Sequence, residues 1–140
     1  MPDPPDQDEN LSERRYAQLA GGMPIPGPYS QAVLDRDLIF VAGQIAADNP
    51  SWTGHLGSIE DETRAALDLI GRVLSELGAS FGDVLRVGVF MTDLSEFDRM
   101  NSVYAAYFGI RSRPARTCVG VKELLGGCRI EIDCVARRPA

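Results

Sequence analysis

The stretch SIEDETRAALDLIGRVLSELG, residues 58–78, decides the middle of the chain. Ile59, Thr63, Ala66, Leu67, Ile70, Val73, Leu74 and Leu77 recur every three or four positions, which places them on one stripe of a helix. Ser58 with Asp61 three residues on resembles a capping box, and Gly78 suits the left-handed residue that ends a helix. The spacing predicts one amphipathic helix whose apolar stripe needs a surface to cover it.

Strand patterns flank this helix on both sides. Before it, YSQAVL and DLIFVAGQI are separated by Asp35 and Arg36, which reads as a hairpin, and RRYAQLA is a candidate first strand. GGMPIPGP and ADNPSWTGHLG have the Gly, Pro, Asn and Ser content of irregular chain. After the helix, VLRVGVFMT alternates, with Leu85, Val87, Val89 and Met91 on one face and Arg86, Gly88 and Thr92 on the other. A second helix is expected from Asp93 or Ser95, turning Phe97, Met100, Tyr104, Tyr107 and Phe108 inward. Pro114 then breaks into a strand, and LLGG turns the chain into the last one.

The order is three strands, helix, strand, helix, two strands. Each helix has one apolar stripe and lies between strands, so the expected fold is α+β, a single mixed sheet with both helices on one face. The other face is expected to carry Arg86, Gly88, Phe90, Arg116, Cys118, Glu131 and Asp133. That mixture is too polar for a core and too apolar for plain solvent, so a subunit interface is expected to cover it.

Composition limits the function classes. With 140 residues, 44% of them hydrophobic, the chain fits one packed domain, taken as residues 13–140. Residues 1–12 are acidic and Pro-rich with little to bury, and are expected to form a mobile tail. The net charge of −6 is concentrated there: residues 1–13 hold five of the 20 acids and no Lys or Arg, leaving 15 acids against 14 basic residues. A near-neutral body argues against a nucleic-acid partner, whose binding needs clustered cations. No run of about 18 apolar residues exists, and the N-terminus lacks the basic and then apolar order of a secretory signal, so a cytoplasmic protein with no membrane partner is expected. Cys118, Cys128 and Cys134 are odd in number and lack CxxC spacing, which disfavours a disulfide framework or a zinc site. His55 is the single histidine and sits in a Gly-flanked loop, a weak candidate for chemistry.

Two segments carry the chemistry, RPARTCVG at 113–120 and RIEIDCVA at 129–136. Alternation puts Arg116, Cys118 and Gly120 on one face; Ile130, Ile132, Cys134 and Ala136 form an apolar set that leaves Glu131 and Asp133 opposite. A turn near Leu124 and Leu125 would bring Cys118 across from Glu131 and Arg116 across from Asp133. Two readings follow. The Arg fork grips a substrate carboxylate while Glu131 handles a water or a proton, or Arg116 and Asp133 are a cross-strand ion pair that sets register.

Together GPYSQAV, FVAGQI, VFMTDLSEFDRMNSVYAAYF, RPARTCVGV and RIEIDCVA resemble the RidA (YjgF) family of enamine and imine deaminases, from about Gly27 to Ala136. The resemblance implies a chorismate-mutase-like fold and a homotrimer with three sites at its subunit interfaces. It implies hydrolysis of 2-imino acids or enamines, such as 2-iminobutanoate and 2-aminoacrylate, to 2-oxo acids and ammonia, with no metal or organic cofactor. By the same resemblance Arg116 binds the substrate carboxylate, Cys118 lends backbone groups, Glu131 orients the attacking water, and Tyr29, Gly43 and Asn101 line the pocket. The chain departs from the family pattern at Ala42, where Ser is usual, at Leu125, where Pro is usual, and at Leu69, where Asn is usual. Ala42 removes a hydroxyl from the pocket edge, which keeps a trimer that binds a carboxylate metabolite or a protein partner without turnover as the alternative.

Overall fold

The computed structural model describes residues 14–19, 27–52 and 57–139; the expected tail, most of GGMPIPGP and His55 lie outside them. Strands β1 (Arg14–Ala17), β2 (Ala32–Asp35) and β3 (Leu38–Gln44) precede helix α1 (Ile59–Glu76). Strand β4 (Val84–Met91), helix α2 (Phe97–Tyr104) and strands β5 (Ala115–Gly120) and β6 (Ile130–Arg137) complete the order read from the sequence. Among the described residues no helix is long and apolar enough to cross a membrane.

Helix α1 starts as its sequence requires: the Ser58 hydroxyl accepts the Asp61 N–H at 3.3 Å. It closes at Gly78, whose φ of 80° is costly for a residue with a Cβ. Its stripe of Ile59, Ala66, Leu67, Ile70 and Leu74 packs without exposure to water on β3 and β6. Helix α2 ends at Tyr104, earlier than its apolar spacing extends. Tyr107 and Phe108 still reach the core, edge-on to Phe81 at 5.4 and 5.3 Å.

Among the described residues six strands form one mixed sheet in the order β1-β2-β3-β6-β4-β5. The expected β5–β6 pairing does not occur. β6 enters between β3 and β4, antiparallel to both, and β5 lies parallel to β4 at the edge. Burial explains the choice: Ile130, Ile132 and Ala136 of β6 are fully buried and suit a central strand, whereas every residue of β5 keeps some exposure.

This order corrects two expectations about faces. Arg116 pairs with Val87 and Cys118 with Val89, both core residues, so Arg116 and Cys118 stand on the helix side and not on the open face. Leu85 is 46% exposed although alternation placed it inward, because a register shift between Val84 and Arg86 inserts it as an extra residue.

Helix α1 also buries a charge the sequence did not signal. Glu62 is fully buried and accepts the Arg129 N–H at 2.8 Å, while the Arg129 guanidinium bridges to Glu96 at 2.9 Å. Burial pushes the Glu62 carboxyl up, and Arg129 pulls it back. The network ties α1 and the turn before α2 to the start of β6.

Candidate functional site

Arg116 is the focus of one half of the site. From edge strand β5 it donates Nη1–H to Asn101 Oδ1 at 2.7 Å, and its guanidinium lies 4.7 Å from the Tyr104 ring centroid and 5.5 Å from that of Phe97. Phe97, Asn101 and Tyr104 follow the i, i+4, i+7 spacing of one face of α2, which is why one helix supplies all three. Two ring contacts and one hydrogen bond to an amide oxygen hold the fork in place without neutralising it. Among the described residues no carboxylate pairs with Arg116.

A cavity of about 480 Å³ opens beside this fork, lined by Arg116, Asn101, Tyr104, Phe108, Pro114 and Arg113 among others. Burial raises the Tyr104 phenol to about 12, against the pull of Arg116, so its hydroxyl keeps its proton. That hydroxyl is buried and has no hydrogen-bond partner among the described residues. Cys118 sits next along β5 with its Sγ 3.8 Å from Met91 Sδ. Burial raises its thiol more than Arg116 lowers it, which disfavours a thiolate nucleophile.

Glu131 is the focus of the other half. It pairs with Phe90 on the open face, and its carboxylate folds over Gly43. A Cβ at Gly43 would stand 2.7 Å from Glu131 Cδ and 2.8 Å from Oε2, so only glycine leaves that place free. The approach is made by a register shift between Val41 and Gln44 that bulges Ala42 and Gly43 out of β3. The bulge is braced: Ala42 donates its N–H to the Gln31 carbonyl at 2.9 Å, and its own carbonyl accepts from Gln44 Nε2 at 2.8 Å. Burial raises the Glu131 carboxyl above the ordinary range, and the charges of Asp133 and Asp48 raise it further.

The structure thus brings together Arg116, Asn101 and Cys118 on one side of the sheet, and Glu131 with Gly43 on the other. Tyr29 is half exposed just before β2, its ring against Gly27. Neither cross-strand contact expected of Arg116, with Glu131 as its neighbour or with Asp133 as its ion partner, forms within the chain: β4 intervenes, and the side chains take opposite faces. Sequence reasoning passed over Phe97 and Tyr104 as core and did not use Arg113. Their spacing around Asn101, and the position of Arg113 beside Pro114, were the available signals.

Comparison with known proteins identifies the family and the fold. The family model described as Endoribonuclease L-PSP matches residues 23–138. A RutC family protein of Pyrococcus horikoshii is 43% identical over 110 residues, 79% of this chain and 86% of that protein. The human protein named 2-iminobutanoate/2-iminopropanoate deaminase is 37% identical over 123 residues, 88% of this chain and 89% of that one. The crystal structure of Escherichia coli TdcF with bound serine superposes with a TM-score of 0.80 at 28% identity, covering 89% of this chain and 99% of that one. On its sequence, its sheet order and these matches, the chain belongs to the Endoribonuclease L-PSP family, the RidA (YjgF) family.

Proposed function

We propose that this protein hydrolyses 2-imino acids and their enamine tautomers, such as 2-iminobutanoate and 2-aminoacrylate, to 2-oxo acids and ammonia. The observation that carries the reading is Arg116, a guanidinium fork braced by Asn101 and two rings at the mouth of a cavity, with no carboxylate of its own. Such a fork takes a substrate carboxylate through two parallel hydrogen bonds. The relative named as a deaminase supports the reaction class, and serine bound to a protein of the same fold supports an amino-acid-like ligand.

In the proposed reaction water adds through oxygen to the electrophilic imine carbon, and one proton of that water passes by way of Glu131 to the nitrogen. The carbon–nitrogen bond of the resulting carbinolamine breaks as the hydroxyl proton passes, again by way of Glu131, to the departing nitrogen, giving the 2-oxo acid and ammonia. The raised pKa of Glu131, from burial and the charges of Asp133 and Asp48, makes its carboxylate a stronger proton acceptor than an ordinary one. Holding substrate and water together supplies several kcal/mol of barrier lowering, roughly 7–11 in the best-aligned cases. Because Arg116 and Glu131 occupy opposite faces of one sheet, a site using both takes them from two chains, and we assign it to the interfaces of a homotrimer that covers the open face.

The test is direct. An amino-acid dehydratase or oxidase generates 2-iminobutanoate in situ, and disappearance of the imine is followed with and without the protein. Acceleration over the spontaneous rate is expected. No acceleration, with a 2-oxo acid still bound, would favour a carboxylate-binding protein without turnover.

A further inference from the structure

Two arginines line the cavity, and the reaction proposed above uses one. Arg113 joins Arg116 in the same wall, and among the described residues neither has a carboxylate partner. Among the described residues Arg64 pairs with Asp61, Arg99 with Glu60 and Glu96, and Arg129 with Glu62 and Glu96, whereas cations without a carboxylate such as Arg111 and Lys122 lie outside the cavity lining; Arg113 and Arg116 are the two that share it. The remaining lining is Asn101, Tyr104, Ala105, Phe108 and Pro114, which brings no negative charge. Asn101 Oδ1 is already committed to Arg116, and the Tyr104 hydroxyl is left as a spare donor.

Two like charges against a largely apolar wall repel each other and favour an anion between them. A single carboxylate occupies one fork. Pro114 keeps Arg113 out of helical geometry, and from the loop immediately before β5 the exposed Arg113 contributes to the cavity lining. We propose that the preferred substrates are imino or enamino acids that carry a second carboxylate, with Arg116 taking the carboxylate next to the imine and Arg113 the distal one. Arg113 is then the specificity-determining residue. This rests on the deaminase reading and narrows its substrate class; the bonds made and broken are unchanged.

The experiment compares imines formed in situ from aspartate or glutamate by an oxidase with 2-iminobutanoate, using the full-length protein. It also compares binding of 2-oxoglutarate and 2-oxobutanoate by calorimetry. We expect kcat/KM to favour the dicarboxylic imine by about tenfold, the scale of one added charge-assisted hydrogen bond at a partly exposed site. Arg113→Gln should remove that ratio, whatever it does to each rate, and Arg111→Gln, a neighbouring cation outside the cavity lining, should leave it intact. Turnover of 2-iminobutanoate with equal or better efficiency than the dicarboxylic imine overturns the inference and leaves the deaminase reading standing. Turnover of neither imine counts against the deaminase reading, and the calorimetry then decides: a preference for 2-oxoglutarate that Arg113→Gln abolishes supports the two-anion site, and equal binding overturns it.

Discussion

Arg116 and Glu131 stand on opposite faces of one sheet, with β4 between their strands: Arg116 lies beside Val87 on the helix side, and Glu131 beside Phe90 on the open side. No side-chain rotation brings them together within a chain, because the sheet itself separates them. A reaction that needs both therefore depends on assembly.

Mixing two inactive variants tests that dependence. If Arg116 of one chain works with Glu131 of another, Arg116→Lys and Glu131→Gln chains refolded together should recover activity, since roughly a quarter of sites in a randomly mixed trimer hold both native residues. Light scattering should give a mass near three chains. Recovery of nothing from a properly mixed trimer would reject a site that takes Arg116 from one chain and Glu131 from another.

Arg116→Lys alone should lower kcat/KM by about a hundredfold, because an ammonium is a point charge where a carboxylate needs a planar fork. Thermal stability should change by less than about 1 kcal/mol, since no ion pair is broken. Asn101→Ala should act in the same direction and mainly on KM, as it frees the fork from its 2.7 Å brace. Wild-type turnover by Arg116→Lys would reject the carboxylate-anchor role.

Glu131 sets a pH dependence of definite sign. Its folded pKa is raised by burial and then by Asp133 and Asp48, so the folded state holds its proton more tightly than the unfolded one. The stability this lends is present below the ordinary carboxyl pKa and is lost as pH rises through the raised value. Glu131→Gln should therefore melt slightly higher than the wild type at pH 7, by less than about 1 kcal/mol, and the difference should vanish in acid. In kinetics, the acid limb of kcat should lie above the ordinary carboxyl range and shift down in Asp133→Asn. A limb that ignores Asp133 would assign it to another group.

Gly43→Ala isolates positioning from charge. The added methyl would meet the Glu131 carboxylate at 2.7–2.8 Å and push it from the bulge. Turnover should fall at least about tenfold, equivalent to about 1.4 kcal/mol, with the trimer and the binding of a 2-oxo acid largely kept. Unchanged kcat would show that the carboxylate works from elsewhere.

How much was legible beforehand follows from what periodicity encodes. The stripe of α1, the Ser58 cap, the Gly78 stop and the alternation of β6 are local properties, and each appears as read. The site residues came from motifs, which name side chains without placing them. Buried Glu62 is not legible, because a carboxylate in an acidic first turn looks like a solvated one until Arg129, the residue just before β6, reaches it. Alternation places Leu85 inward, and a bulge that no residue type announces displaces it by one residue to the exposed side.

By itself, then, the sequence determined the element order, the buried face of α1 and β6, and the family to which the chain belongs. Only the tertiary structure decided the neighbours of each strand. Alternation states which side chains share a face of their own strand but carries no information about the strand alongside, and residues 121–129 are long enough for β6 to pair with β5 or to pass beyond it. Burial settled the matter: the apolar residues of β6 gain most between β3 and β4, which leaves β5 at the edge, Arg116 under α2 and Glu131 on the opposite face.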